Sequence, residues 1–142
     1  MYEKAFPYIL GLLIAWITWY PARRLDARSE QWYFTVIITI VALGFIGFPI
    51  EDRNMQGIVY EFAAMVVFII LILLSRTVTA AFLPLVWFTH GAWDLTYLLG
   101  FVHVDKPEWV VQLCVPYDWL LAAYLFRRVK IWSETKVSQV PS

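Results

Sequence analysis

Cysteine is almost absent: Cys114 is the single thiol in 142 residues, and it sits inside an apolar stretch. An intrachain disulfide framework and the multi-cysteine zinc patterns are thereby excluded. Charge is scarce as well, at 15% of residues, where a water-soluble domain carries roughly 25%. The 11 Lys and Arg balance the 11 Asp and Glu, so there is no basic field to hold a phosphate backbone, and nucleic acid is not an expected partner. Internal repeats, low-complexity tracts and any linker long enough to separate a pair of domains are also missing.

What the chain has in excess is apolar and aromatic side chains, at 61% and 18% of residues. That surplus calls for lipid, and the expectation is an all-α polytopic membrane protein, a bundle of five transmembrane helices. A span needs ~20 mostly apolar residues. Five segments meet or approach that length: Phe6 to Tyr20, Trp32 to Ile50, Gly57 to Ser75, Thr79 to Phe101 and Trp109 to Phe126. The second is rich in β-branched residues and would read as a strand in water. In lipid a lone strand leaves its backbone unpaired, so helix is expected. Residues 1–132 form one domain on this reading, and 133–142 a short, frayed cytoplasmic tail. The first apolar run is too long for a signal-peptide core and lacks a small-residue cleavage site, so it reads as a retained helix.

Positive charge sets the orientation. Five spans put Arg23, Arg24, Arg28, Arg76, Arg127, Arg128, Lys130 and Lys136 on one side, and only Lys4, Arg53 and Lys106 on the other. The positive-inside rule then places the N-terminus outside and the C-terminus in the cytoplasm. Trp16, Trp19, Tyr20, Trp32, Tyr33, Trp109 and Trp132 fall near span ends, where such rings form an interfacial belt.

Charges at bilayer depth cost several kcal/mol unless they pair, neutralise or face water, so each one is a functional candidate. Glu61, His90, Asp94 and Asp118 are the candidate catalytic residues, and on the five-span topology all four share the outer-to-middle slab of the membrane. His90 and Asp94 stand at i and i+4 on one helix face, which Tyr97 continues at i+7. Helices of a bundle can aim such groups into one pocket, as metal and acid/base sites in bundle cores do. Trp87, Trp93, Tyr97 and Tyr117 are candidate substrate-binding residues. Pro84 and Pro116 could free backbone carbonyls nearby, with Thr89, Thr96 and Tyr117 as further hydrogen-bonding groups.

Plainer readings stand beside these. The His90 and Asp94 pair could be a structural hydrogen bond between helices. Glu61 could snorkel to the interface or pair with Arg53. Arg23, Arg24, Asp26, Arg28 and Glu30 read as a solvated loop, as do His103, Asp105, Lys106 and Glu108. Gly11, Gly44, Gly47 and Gly91 suit close helix contact.

From Gly57 to about Tyr124 the chain resembles the bacterial membrane proteins grouped as domain of unknown function 6010. The likeness rests on Glu61, on His90 followed by Trp93 and Asp94, and on Cys114 followed by Asp118. The family often has a second His three residues after its Trp-Asp pair, where this chain has Tyr97, which weakens a metal site needing two imidazoles. The resemblance implies a shared intramembrane site in a bacterial inner membrane, without naming its chemistry. A looser likeness, of layout only, is to the small membrane terpenoid cyclases and sterol isomerases.

The expected function is therefore intramembrane acid/base chemistry on a lipophilic small molecule: isomerisation, cyclisation or epoxide opening. A carboxyl group in hydrocarbon can stay protonated and donate, while a neighbour in a more polar setting accepts. No cofactor is needed for this, although one imidazole with three carboxylates would also suit a single Fe, Mn or Zn ion. Proton or ion conduction by an oligomer is a further option. The reading from a different class is an accessory subunit of a larger membrane complex, in which the carboxylates would point outward to another chain. Expected partners are the lipid bilayer, a lipophilic small molecule, and a second copy or a larger complex.

Overall fold

The structure is a computed structural model and describes residues 2–45, 47, 50, 53–102 and 106–137. Among the described residues there are five named helices and no strand: α1 Tyr2–Ala22, α2 Ala27–Phe45, α3 Met55–Thr77, α4 Phe82–Leu98 and α5 Glu108–Val137. Local chemistry sets their ends. The Asp26 carboxylate accepts the backbone N–H of Arg28 and of Ser29 at 3.1 and 3.2 Å, starting α2. Asn54 does the same for α3 through the N–H of Gly57 at 2.9 Å. Gly100, with φ of +75°, closes α4: its own N–H reaches Tyr97 and that of Phe101 reaches Thr96, the paired bonds of a Schellman turn. That turn ends α4 before Phe101.

Neighbouring helices alternate in direction. Arg76 near the end of α3 lies over Trp32 near the start of α2, Phe68 of α3 meets His90 of α4, and Trp87 of α4 meets Tyr117 of α5. The first and last helices run parallel, with Trp19 against Tyr124 and Gly11 against Leu113. α5 is the central element, flanked chiefly by α4 and α1 and touched by α2. Two glycines allow this closeness. A Cβ on Gly11 would stand 2.1 Å from the Leu113 carbonyl oxygen, and one on Gly91 would stand 2.7 Å from the Trp119 ring. Gly44 and Gly47, expected in the same role, have nothing within 4 Å and face open space.

The core joins Phe34, Trp87, Tyr117, Leu121 and Leu125, while many large apolar side chains point outward, among them Ile9, Ile40, Phe62 and Leu73. Such a surface is compatible with lipid rather than water. Ala5–Ala22, Met55–Thr77 and Glu108–Glu134 are long and apolar enough to cross a membrane. Five such segments were expected and three qualify, because α2 opens on the polar run Ala27 to Gln31 and α4 has only 17 residues. Residues 133–137, expected to be frayed, instead continue α5. Pro49, Glu51 and Asp52, expected to end the second segment, lie outside the described residues.

Candidate functional site

α3, α4, α5 and the loop before α5 bring five ionisable side chains together at one end of the bundle. On α4, the one-turn spacing sets His90 Nδ1 3.8 Å from Asp94 Oδ2. Across the interface that Gly91 keeps tight, His90 Nδ1 lies 2.7 Å from Asp118 Oδ2. Lys106 then extends the cluster, with its Nζ 2.7 Å from Glu61 Oε1 and 3.7 Å from Asp94 Oδ1. Tyr97 donates its hydroxyl to the same Glu61 oxygen, and Trp93 Nε1 is 3.4 Å from it. All four expected acid/base residues are thus in one buried constellation: none is more than 4% exposed.

Lys106 was missed. It was expected to be solvated in a polar loop, yet its side chain is 1% exposed and packs over the Tyr97 ring with Nζ 4.0 Å from the centroid. The Glu61 partner is accordingly Lys106 and not Arg53, whose side chain is exposed. Glu108 is exposed as expected, and His103 and Asp105 lie outside the described residues.

The aromatic candidates divide. Trp93 lines an apolar groove of about 390 Å³ between α3 and α4, together with Ala64, Phe68 and Thr89, a volume in the range of small-molecule sites. Phe68 forms its inner wall, with its ring 5.2 Å from that of His90. Tyr97 holds Glu61. Trp87 has no exposed surface and sits in the core between Phe34 and Tyr117, and the Tyr117 hydroxyl is 3.5 Å from Thr18 Oγ1. Neither of these two lines the groove. Thr96 bonds its own helix at the Trp93 carbonyl. Pro84 is in the first turn of α4, nearly two turns from His90, so it frees no carbonyl at the cluster. Pro116 interrupts α5 within a turn of Asp118, where its missing N–H leaves the Gln112 carbonyl without a helical donor.

A second buried carboxylate went unrecognised. Glu30, expected in a solvated loop, has 0% exposure. It accepts two bonds from Arg128 Nε at 3.0 and 2.9 Å, one from Trp132 Nε1 at 2.8 Å and one from the Tyr124 hydroxyl. Trp132 is for that reason a buried donor, 1% exposed, and not part of an interfacial belt. With so many donors the Glu30 carboxylate has its acceptor capacity filled, which fits a clamp between α2 and α5.

The first cluster differs in that respect. Asp118 Oδ1 and both Asp94 oxygens are buried without a hydrogen-bond donor among the described residues. Among the described residues three carboxylates face one ammonium and one imidazole, so with His90 protonated one negative charge is in surplus there. A proton or a cation would balance it. His90, Asp94 and Asp118 each offer a ligand atom within 4.8 Å of the others, a set suited to a hard or borderline divalent ion.

Against protein-family models, curated proteins and solved structures the chain gives no match. The likeness to domain of unknown function 6010 therefore rests on the quoted residues alone.

Proposed function

We propose that this protein is a small membrane enzyme that performs acid/base chemistry on a lipophilic substrate. One observation carries the reading: the Asp118, His90, Asp94, Lys106 and Glu61 cluster retains unfilled acceptors and lies directly behind the Phe68 wall of a groove open on the bundle surface. A substrate in the groove would meet this centre on rotation of Phe68, with one carboxyl group as acid and the His90 pair as base or relay. Isomerisation and cyclisation need only such proton transfers, and epoxide opening adds a nucleophile, either water or a group of the substrate itself.

The topology belongs to the same proposal. The helices alternate in direction, and 17 residues suffice for an upright span where the bilayer thins locally, so α2 and α4 cross with the other three. Arg23, Arg76 and Arg128 gather at the end remote from the cluster, which supports a cytoplasmic C-terminus, an outer N-terminus and a site beneath the outer face of a bacterial inner membrane. An accessory subunit would turn its carboxylates toward a partner. Here they face one another, which favours the enzyme.

The test is incubation of purified protein with a total lipid extract in D₂O, followed by mass spectrometry. The expected result is at least one neutral lipid that gains deuterium or is rearranged by wild type and not by Asp118→Asn. Identical extracts from both would overturn the proposal.

The mutual approach of His90, Asp94 and Asp118 also favours a second reading, a bound Fe, Mn or Zn ion. Elemental analysis of protein purified without chelator would find about one metal per chain, lost in His90→Ala; less than a tenth of an equivalent in wild type would remove it.

A further inference from the structure

A second groove, of about 350 Å³, runs between α1 and α5 from the level of Leu120 to Arg127, leading away from the cluster. Trp16, Trp19, Leu120 and Tyr124 form its walls, and Arg127 lines it. Because the two helices are parallel, their sequences advance along the groove together. Trp16 and Leu120 stand at one level, and seven residues on from each, Arg23 and Arg127 arrive at the next. Arg23 lies against these walls, with its guanidinium 5.7 Å from the Trp19 ring and 4.3 Å from that of Tyr20. Arg24 is 5.4 Å from Tyr20. All three arginines are exposed, and none forms an ion pair with a carboxylate among the described residues.

An apolar, aromatic trough ending in unneutralised guanidinium groups matches a molecule with a long hydrocarbon chain and an anionic head. We propose that the groove between α1 and α5 binds an anionic phospholipid, its acyl chain along Trp16, Trp19 and Leu120 and its phosphate held by Arg23 and Arg127. Guanidinium forks suit phosphate geometry, and basic residues at a membrane surface draw anionic lipid. This site is separate from the acid/base centre, and it stands or falls independently of the enzyme proposal.

Native mass spectrometry of delipidated protein in detergent, titrated with phosphatidylglycerol or with phosphatidylcholine of the same chains, tests it. The expected result is one phosphatidylglycerol bound in preference to phosphatidylcholine by about tenfold or more. The Arg23→Gln/Arg127→Gln variant should lose that preference, and Arg76→Gln, over Trp32 on another face, should keep it. Ala123→Phe, which fills the trough from the surface, should weaken both lipids. Equal binding of the two lipids by wild type would overturn the proposal. So would a preference that survives the double variant, or binding of both lipids that Ala123→Phe leaves undiminished.

Discussion

His90 Nδ1 and Asp118 Oδ2 are 2.7 Å apart across the interface of α4 and α5, each side chain essentially without solvent exposure. The contact joins residues 28 positions apart, and it gives the imidazole a carboxylate partner where Gly91 lets α4 and α5 approach closely. A neutral amide at 118 could keep the shape and one hydrogen bond, but could not carry the charge.

Asp118→Asn should therefore retain expression and helix content while lowering lipid conversion by about 10²- to 10⁴-fold, the usual worth of a positioned acid or base. Asp118→Leu should instead destabilise the protein by ~3–5 kcal/mol, because an imidazole paired with carboxylates is left in an apolar site. Thermal unfolding in detergent, alongside the conversion assay, separates the two effects.

Lys106 supplies the ammonium that Glu61 and Asp94 share. Lys106→Met is expected to destabilise by ~3–5 kcal/mol through the uncompensated carboxylates, and adding Glu61→Gln should restore much of that loss. Unfolding midpoints for the two single variants and the double variant check this. A double variant no more stable than Lys106→Met would show that Glu61 does not depend on the ammonium.

The glycines should rank by what an added methyl meets. Gly11→Ala drives a Cβ into the Leu113 carbonyl oxygen, which is backbone and cannot turn away, whereas Gly91→Ala meets the Trp119 ring, which can shift. Overpacking of this kind costs ~1–3 kcal/mol, so Gly11→Ala should be the most damaging and Gly91→Ala intermediate. Gly44→Ala enters open space and should be neutral or slightly stabilising through helix propensity. The order of melting temperatures is the readout.

Asp26 caps α2 as an anion. Its hydrogen bonds from Ser29 and Arg28 hold the carboxyl below its ordinary value of 3.8. A lowered folded value means that the stabilisation is complete above the unfolded pKa and is lost as pH falls through the folded one. Asp26→Ala should accordingly lower the melting temperature at neutral pH, and its difference from wild type should shrink below about pH 4.

The buried centre was legible in sequence where a charge interrupts hydrocarbon. Glu61, Asp94 and Asp118 announce themselves that way, and His90 joins Asp94 through helical spacing. Lys106 and Glu30 escaped notice because each lies in a polar run, where the default expectation is water. Their burial depends on partners far along the chain, Glu61 for one and Arg128 for the other, which only the tertiary arrangement supplies. The same cause misplaced Trp132, whose position near the end of an apolar segment resembles that of a belt residue. Helix identity followed from composition, whereas helix ends followed from caps: the Gly100 turn shortens α4, and nothing in Ser133 to Val137 stops α5 where the apolar run ends.

The central claim is that His90 and Asp118 act as one unit within the membrane, and a double-mutant cycle measures that directly. Unfolding free energies of wild type, His90→Asn, Asp118→Asn and the double variant should give a coupling energy of ~1–3 kcal/mol. Effects that simply add, within ~0.5 kcal/mol, would mean that the two side chains do not meet, and would contradict the account.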